Sequence, residues 1–284
     1  MTSIATERLS HKGFNLTQYA IALQGIVWRE SLRFVHQRGR FVSALVRPLV
    51  WLFIFASGFR AVLGISIIPP YQTYVTYDVY ITPGLMAMIL LFNGMQSSLS
   101  MVYDRDTGNM RTLLVSPFPR WYLLTCKLFA GAAVGVLQVY TYLLIAYFWG
   151  ISPDSPWGYV TVLPALFLSG LMLGSLGMVL SSLIRQLENF AGVMNFVIFP
   201  MFFASSALFP LWEVQEKSPW LATVCWLNPF TYAVELVRFA FYEQLNLTSL
   251  AVDIGCMIVF LAAAVIAYDP ARGMLIRRGA GAAE

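Results

Sequence analysis

The chain has 284 residues, of which 58% are hydrophobic and only 11% are charged, with a net charge of +4. A soluble globular domain carries about 25% charged residues, so this composition excludes an ordinary soluble protein and requires much of the outside to face lipid. The positive charge does not predict a nucleic-acid partner, because the basic residues flank apolar segments instead of forming one patch. The three cysteines are far apart and predict neither a disulfide framework nor a metal site.

Residues 1–40 are predicted to form a cytoplasmic segment that contains an amphipathic helix from residue 16 to about residue 38. Apolar residues recur there with a helical period, while Arg29, Arg33 and His36 fall on another face. An apolar face beside a basic strip is typical of a helix that lies in the membrane interface. A helix packed on a soluble domain also needs one apolar face and is the alternative interpretation.

Residues 41–270 are predicted to form an all-α membrane domain with six transmembrane helices. Four stretches contain no Asp, Glu, Lys or Arg: residues 79–103, 128–153, 155–184 and 189–212. Each is long enough for the roughly 20 apolar residues with which a helix crosses about 30 Å of hydrocarbon. Two weaker segments complete the six: residues 41–63, interrupted by Arg47 and Arg60, and residues 250–268, with Asp253 near the start.

The distribution of Lys and Arg predicts the orientation of these spans. Fourteen of the 18 lie in or next to residues 1–40, the loop 102–120, the link 184–189 and the tail 271–284. Basic residues accumulate in cytoplasmic loops, so these segments are assigned to the cytoplasm. Both termini, including the tail, are therefore expected on the cytoplasmic side.

The connection between the last two spans, residues 212–248, is unusually apolar for a loop. It contains two predicted helices, residues 220–227 and 231–242, which are too short to cross a bilayer. Because irregular backbone at membrane depth must be covered by protein or water, we interpret the connection as a re-entrant helical hairpin between spans five and six. Within it, Glu235 and Arg238 are spaced for an ion pair on one helix face, and a structural role is favoured over a substrate contact.

Phe199, Phe202 and Phe203 in the fifth span are candidates for lining an apolar substrate path. Packing or lipid contact is the alternative, and it is favoured because buried aromatic residues are ordinary core material. Three tryptophans of the following connection are predicted to form an aromatic belt at the outer interface: Trp212, Trp220 and Trp226.

The sequence offers no means of powering transport by itself. It lacks the G-x-x-x-x-G-K-[ST] loop that cradles nucleotide phosphates, so this chain is expected to bind no cofactor. It also lacks a series of acidic residues at mid-membrane that could relay protons. The only histidines, His11 and His36, have no carboxylate cluster nearby, which argues against a membrane-embedded enzyme and leaves no catalytic or metal-binding candidate. The chain is either a passive channel or one part of a larger machine.

The loop after the second span favours the larger machine. Acidic residues open it, an apolar ridge follows and two prolines end it, which describes a short amphipathic cytoplasmic helix of mixed charge. Such a helix, closely joined to the third span, could transmit a conformational change from a soluble partner to the membrane helices. The candidate coupling residues are Asp104, Arg105, Asp106, Gly108, Met110, Arg111, Leu113 and Leu114. An ordinary cytoplasmic loop whose charges only set topology is the alternative.

Residues 103–127 resemble the coupling-loop signature of the ABC-2 type transporter permeases. The shared features are the acidic-basic-acidic start, a glycine, a Leu-Leu pair, a Ser-Pro-x-x-Arg sequence and a Lys in the following helix. Residues 227–232, which include Asn228 and Pro229 and precede the predicted ion pair, resemble the second signature of this family. The order of elements along nearly the whole chain is also similar to that of the family.

The resemblance implies a permease of an ATP-binding-cassette exporter in the bacterial inner membrane. It implies pairing with a second permease, usually a copy of the same chain, and docking of two separate ATPase subunits that bind ATP and Mg²⁺. Residues 104–115 would form the coupling helix in a groove of the ATPase, beside the N-terminal interface helix. This chain is similar to the drug- and lipid-efflux branch, which implies outward movement of an amphipathic substrate. The alternative function is an ATP-independent channel or a proton-coupled carrier.

Overall fold

The computed structural model describes residues 16–36, 38–56, 58, 64–65, 70–71, 75–106, 118–184 and 187–268. These residues are almost entirely helical, which confirms the prediction of an all-α membrane protein. One addition is a pair of two-residue antiparallel strands, β1 (Gly64–Ile65) and β2 (Val75–Thr76), in the connection between the first and second predicted spans, which we call the outer connection. The predicted cytoplasmic tail 271–284 lies outside the described residues.

The helices follow one another closely along the chain. In order they are α1 (Leu16–His36), α2 (Arg38–Val50), α3 (Tyr77–Asp106), α4 (Arg120–Phe148), α5 (Gly158–Leu183), α6 (Leu187–Phe203), α7 (Leu211–Lys217), α8 (Pro219–Leu227), α9 (Pro229–Phe241) and α10 (Leu247–Ala267). A π-helical segment, Trp51–Ala56, continues α2. The predicted N-terminal helix is therefore α1, and the two short helices predicted before the last span are α8 and α9.

Four helices are long and apolar enough to cross a membrane, namely α3, α4, α5 and α10. They coincide with the predicted second, third, fourth and sixth spans. Shorter apolar helices at Leu45–Ile54 and Gly192–Phe203 coincide with the predicted first and fifth spans. Proline accounts for the irregularity of the first, because Pro48 has no N–H to donate and the π-helical segment begins three residues later.

The helix at the predicted fifth span is shorter than the sequence suggested. The charge-free stretch covers residues 189–212, and the span is predicted within it at residues 190–211, whereas α6 ends at Phe203 and residues 204–210 form turns. With 17 residues, α6 is about 25 Å long. Its end is set by a tertiary contact, since the side chain of Asn228 binds the carbonyl of Met201 in the last turn and that of Ala204 just beyond it.

The centre of the fold is the contact between α3 and α5, whose backbones approach each other directly. A Cβ atom on Gly94 would lie 2.9 Å from the backbone nitrogen of Gly174, and one on Gly177 would lie 2.9 Å from the carbonyl oxygen of Gly94. Membrane helices that pack through small residues gain close van der Waals contact, which lipid cannot replace. The glycines of α3 and α5 therefore set the spacing of the two central helices.

The last helix, α10, lies at the periphery of the fold. It packs mainly on α5, and its buried residues are Ser249, Asp253 and Ala264. Apolar side chains on its other faces, such as Ile258 and Val259, are exposed. Most of its surface is thus available to lipid, and a narrow stripe holds it to the rest of the protein.

Candidate functional site

Asn228 joins the end of α6 to the start of α9. Its amide nitrogen donates to the carbonyl oxygens of Met201 and Ala204, at 2.7 Å each. Its side-chain oxygen accepts from the backbone N–H of Phe230 at 3.0 Å and caps α9. Pro229 fills the first position of α9, where a missing N–H leaves no helical hydrogen bond unmade. The Asn-Pro pair singled out in the sequence therefore fixes two helices through one side chain.

Arg238 is only 3% exposed and binds three separate parts of the fold. It forms an ion pair with Glu235, one turn earlier on α9, which confirms the predicted pair. Another nitrogen of its guanidinium donates to the carbonyl oxygen of Ser206 at 2.7 Å, in the turns that follow α6. The guanidinium carbon also lies 4.2 Å from the centre of the Tyr80 ring on α3. The sequence spacing identified Glu235 as a partner, but it gave no sign of Ser206 or Tyr80.

The side chain of Tyr80 completes this cluster from α3. Its hydroxyl donates to the same Ser206 carbonyl oxygen at 3.1 Å, so one backbone oxygen accepts from two side chains. The ring of Tyr71, in the outer connection, lies 6.2 Å from that of Tyr80 and 4.7 Å from that of Tyr242 between centres. Burial raises the pKa of Tyr71 to about 12, so its hydroxyl stays protonated at physiological pH. We call the cluster of Tyr80, Ser206, Glu235 and Arg238 the hairpin clamp.

A glycine of α3 touches the turns after α6 at backbone distance. A Cβ atom on Gly84 would lie 2.7 Å from the carbonyl oxygen of Ala207 and 2.8 Å from its Cα. No side chain fits between the two segments. Residues 204–210 are therefore fixed from three directions, by Gly84, by Asn228 and by the hairpin clamp.

The three phenylalanines predicted for a substrate path fall into two groups. Phe202 is fully buried, and its ring lies 5.7 Å from that of Trp51 and 6.3 Å from that of Phe230 between centres. Phe199 and Phe203 are 39% and 45% exposed, and their rings stack at 6.3 Å. The path itself stays a prediction, and Phe199 and Phe203 are the members that a substrate could reach.

At the other end of the spans, α3 continues to Asp106. Residues 104–106 therefore form the last turn of α3 and do not open a separate helix, which differs from the expectation for the loop. Extending an existing helix adds one hydrogen bond for each residue fixed, whereas starting a new helix requires a costly first turn. The remaining predicted coupling residues lie outside the described residues: Gly108, Met110, Arg111, Leu113 and Leu114.

The helix α1 is attached where this loop rejoins the membrane helices. Tyr122, in the first turn of α4, donates its hydroxyl to the carbonyl oxygen of Tyr19 on α1. The ring of Tyr19 lies 4.8 Å from that of Tyr122 and 5.4 Å from that of Phe118 between centres, edge to face in both cases. Arg29 is exposed on α1, and the backbone of Arg33 belongs to the same helix. Sequence reasoning missed Tyr122, because a helical period reveals an apolar face but not its partner.

Within the described part of the chain, no group of three or more His, Cys, Asp or Glu residues stands close enough to hold a metal ion. The buried polar side chains instead bind helices to helices or to turns. The described residues therefore form a membrane protein in which short helices are tied between long apolar ones.

Comparison with known proteins identifies the class. Residues 21–242 match the ABC-2 type transporter family, and the chain belongs to that family. A relative from Cyanophora paradoxa, named as the transport permease ycf38, is 26% identical over 230 residues, which cover 78% of this chain and 77% of the relative. Nodulation protein J of Neorhizobium galegae is 25% identical over 206 residues, covering 68% of this chain and 71% of that protein.

A bacterial relative covers a smaller part of both proteins. The chain is 27% identical over 183 residues to the "Probable multidrug ABC transporter permease YbhR" of Escherichia coli strain K12. The match covers 62% of this chain and 47% of that relative. The family and these names together identify the chain as the membrane permease subunit of a transporter.

Proposed function

We propose that this chain is the transmembrane subunit of an ATP-binding-cassette exporter that works with separate ATPase subunits. Membership of the ABC-2 type family supports the permease role, and the absence of a phosphate-binding loop from the sequence assigns ATP and Mg²⁺ to the partner. The concentration of Lys and Arg in the N-terminal segment, loop and tail supports a cytoplasmic location for both termini in a bacterial inner membrane.

The proposed domain, residues 41–270, has six spans and a re-entrant hairpin. The four long apolar helices provide four spans, and the helices around Leu45–Ile54 and Gly192–Phe203 provide the other two. A short span such as α6 is accommodated by local thinning of the bilayer. The hairpin consists of α8 and α9, whose 9 and 13 residues are too few to cross. Asn228 and the hairpin clamp tie both ends of α9 to the neighbouring helices, which supports a fixed hairpin over a loose loop.

The attachment of α1 to the exit of the cytoplasmic loop is the observation that carries the coupling proposal. A force on residues 104–115 reaches Phe118 and then the first turn of α4. Tyr122 passes it to α1 as well, because its hydroxyl and its ring both contact Tyr19. The interface helix and the third span would therefore move together when an ATPase subunit displaces the loop.

A second copy of the chain is proposed to pack against the exposed face of α6. Four apolar side chains recur there every three or four residues and are at least 36% exposed: Val193, Phe196, Phe199 and Phe203. Trp51 extends this face, since its ring lies 6.0 Å from that of Phe203 between centres. Two such faces brought together would enclose an apolar path lined by Phe199 and Phe203, suited to an amphipathic substrate.

The coupling proposal is tested by purifying the chain with a P-loop ATPase subunit encoded beside it. We expect the pair to co-purify in detergent and the permease in nanodiscs to stimulate ATP hydrolysis. Arg111→Glu should abolish both, because it reverses a charge in the proposed docking helix. Asp154→Lys is the matched control, since Asp154 is an exposed charge on the connection between α4 and α5, at the opposite end of the spans. If Arg111→Glu leaves binding and ATPase stimulation intact, the coupling role is wrong.

The pairing of two copies is tested separately by cysteine cross-linking. Phe196 is 79% exposed on the proposed interface, and Val259 is 63% exposed on the outer face of α10. In a variant without native cysteines, Phe196→Cys should form a covalent dimer in membranes with a short bifunctional thiol reagent. Val259→Cys should stay monomeric under the same conditions. Equal cross-linking at both positions would indicate random collision and would contradict the proposed interface.

A further inference from the structure

Asp253 lies inside the last span and not at its end. The sequence suggested that the span begins near residue 250, but α10 begins at Leu247. Asp253 is six residues further on, about 9 Å along the helix axis, and its exposure is 0%. A fully buried carboxyl group inside an apolar helix is expensive and requires a physical explanation.

The carboxyl group is only half satisfied by its surroundings. The hydroxyl of Ser169 on α5 donates to Oδ2 of Asp253 at 3.1 Å. The other oxygen, Oδ1, is buried and has no hydrogen-bond partner among the described residues. One neutral hydroxyl cannot compensate a full negative charge at this depth, because a single neutral hydrogen bond is far weaker than the hydration that the carboxylate would lose.

The helices that pack on α10 offer no counter-charge at this level. On α5, Tyr159 is the only titratable residue, and its ring packs against Phe241. On α9, Glu235 and Arg238 are paired with each other in the hairpin clamp, and the ring of Tyr232 lies 6.2 Å from that of Trp226 between centres.

The remaining titratable groups near α10 lie elsewhere or are neutral. On α4, Cys126 and Lys127 lie between Leu124 and Leu128, two residues that share an apolar cluster with Ala264 of α10. Ala264 is 11 residues beyond Asp253, or about 16 Å along the axis of α10, so these two groups are at a different level. On α10 itself, Cys256 is the nearest titratable neighbour, and its thiol can contribute only negative charge. Among the described residues, the Ser169 hydroxyl is therefore the group that would stabilise an ionised Asp253, and it is too weak to do so alone.

We propose that Asp253 is an intramembrane proton-binding site, in which Oδ1 holds a proton and the neutral carboxyl clamps α10 to α5 through Ser169. The assignment of oxygens follows from the geometry. Oδ2 accepts the hydroxyl of Ser169 and acts as the carbonyl oxygen, which leaves Oδ1 as the protonated one. The proton comes from water and no other bond is made or broken.

The clamp matters because it is a polar contact within an interface made mostly of partly buried apolar side chains, such as Met257 and Phe260. The fully buried residues of α10 are Ser249, Asp253 and Ala264, and a second polar contact joins Ser181 of α5 to Tyr268 at the other end of α10. Interhelical hydrogen bonds of this kind orient membrane helices relative to one another. Loss of the proton would place a charge in this interface and would favour separation of α10 from α5, so proton binding and helix packing are linked.

The proton is tested directly by infrared difference spectroscopy on the full chain in nanodiscs. The wild type should show the C=O stretch of a protonated carboxylic acid at neutral pH, with the small downshift in D₂O that an acid proton gives. Asp253→Asn should remove this band, and Asp154→Asn, at an exposed carboxyl, should leave it unchanged. Ser169→Ala should keep the band but shift it to higher frequency, because the hydrogen bond to the carbonyl oxygen is lost. Absence of an acid band from the wild type at neutral pH would overturn the proposal.

The clamp is tested by thermal unfolding of the same variants. Asp253→Asn keeps a neutral acceptor for Ser169 and should change the unfolding temperature little. Asp253→Ala should lower it by at least about 3 °C, while Ile258→Ala, at a lipid-facing position of α10, should have a smaller effect. If Asp253→Ala is no more harmful than Ile258→Ala, Asp253 does not clamp the helix. Since Ser169→Ala leaves α10 itself unaltered, its infrared shift tests the contact even if Asp253→Ala fails to fold.

Discussion

The guanidinium of Arg238 lies 4.2 Å from the centre of the Tyr80 ring, and both side chains donate to the carbonyl oxygen of Ser206. Three segments that are far apart in the chain therefore meet at one backbone oxygen. The cation is stabilised by the ring and by Glu235, so it can remain charged while almost fully buried. This is why the connection before the last span is held against α3 and does not move freely.

The hairpin clamp predicts a strong asymmetry between single and double substitutions. Arg238→Met should destabilise the protein by about 2 kcal/mol, because it removes a hydrogen bond to the Ser206 carbonyl and leaves the partly buried carboxylate of Glu235 without its partner. Glu235→Leu combined with Arg238→Met should recover much of this loss, since no unpaired charge remains. Thermal unfolding of the wild type, the two single variants and the double variant in detergent provides a double-mutant cycle. A double variant as unstable as the sum of the singles would show that the ion pair is not coupled.

Asn228 is predicted to stabilise the fold in two ways, through the hydrogen bonds that its amide nitrogen donates and by capping α9. Asn228→Ala should destabilise by about 2 kcal/mol, because it removes the cap of α9 and two hydrogen bonds, one to the carbonyl of Met201 in α6 and one to that of Ala204 just after it. Asn228→Asp should be worse, although aspartate is an equally good cap, because its oxygen would face the carbonyl oxygens of Met201 and Ala204. The comparison of unfolding temperatures decides the point. An aspartate variant as stable as the wild type would contradict the observed orientation of the amide.

The central contact of α3 and α5 predicts that two facing glycines respond differently to the same change. A Cβ on Gly94 would meet backbone atoms of α5 within 3.0 Å, so Gly94→Ala must push the helices apart and should destabilise by about 2 kcal/mol. A Cβ on Gly174 would meet only the end of the Leu128 side chain at 3.1 Å, which can rotate. Gly174→Ala should therefore be tolerated within about 1 kcal/mol.

Gly192 provides the control for this comparison. Nothing lies within 4 Å of a Cβ at that position, so Gly192→Ala should be neutral or slightly stabilising through helix propensity. Expression level and unfolding temperature in detergent report the order of the three variants. Equal losses for Gly94→Ala and Gly174→Ala would show that the two helices do not approach in the described register.

The attachment of α1 to α4 predicts that the hydroxyl and the ring of Tyr122 make separate contributions to stability. Tyr122→Phe should cost about 1 kcal/mol, because it removes the hydrogen bond to the backbone of Tyr19 but keeps the ring contact. Tyr122→Ala should cost more, since it removes the ring contacts with Tyr19 and Phe118 as well. A double-mutant cycle of Tyr122→Ala and Tyr19→Ala isolates the ring-ring term, for which we expect about 1 kcal/mol of coupling. Strict additivity of the two variants would place α1 away from α4.

Much of the architecture followed from local sequence. The long spans and the short helices of the last connection are visible because a run of apolar residues and its length decide whether a helix can cross. The Glu235–Arg238 pair is visible because its members are three residues apart on one helix. Asn228 and Pro229 stand out for the same reason, since a capping residue and the helix that it starts are neighbours in sequence.

Other contacts could not be found in this way. Asp253 was placed near the start of its span, because the sequence does not show that Asn246 caps the helix earlier. The length of α6 was overestimated, because residues 204–210 are as apolar as a helix but are bent by contacts with α3 and α9. The sequence also did not show that Phe202 packs against Trp51, which belongs to a different segment.

The sequence by itself determined that this chain lies in a membrane, where its helices are and which ends carry the basic charge. Each helix in hydrocarbon must satisfy its own backbone hydrogen bonds, so a span is a property of consecutive residues. Only the tertiary structure decided which side chains meet, since the partners of Arg238, Tyr80 and Tyr122 are 32, 126 and 103 residues away. Such contacts depend on the spacing and rotation of packed helices, which glycines such as Gly94 set and which no local pattern records.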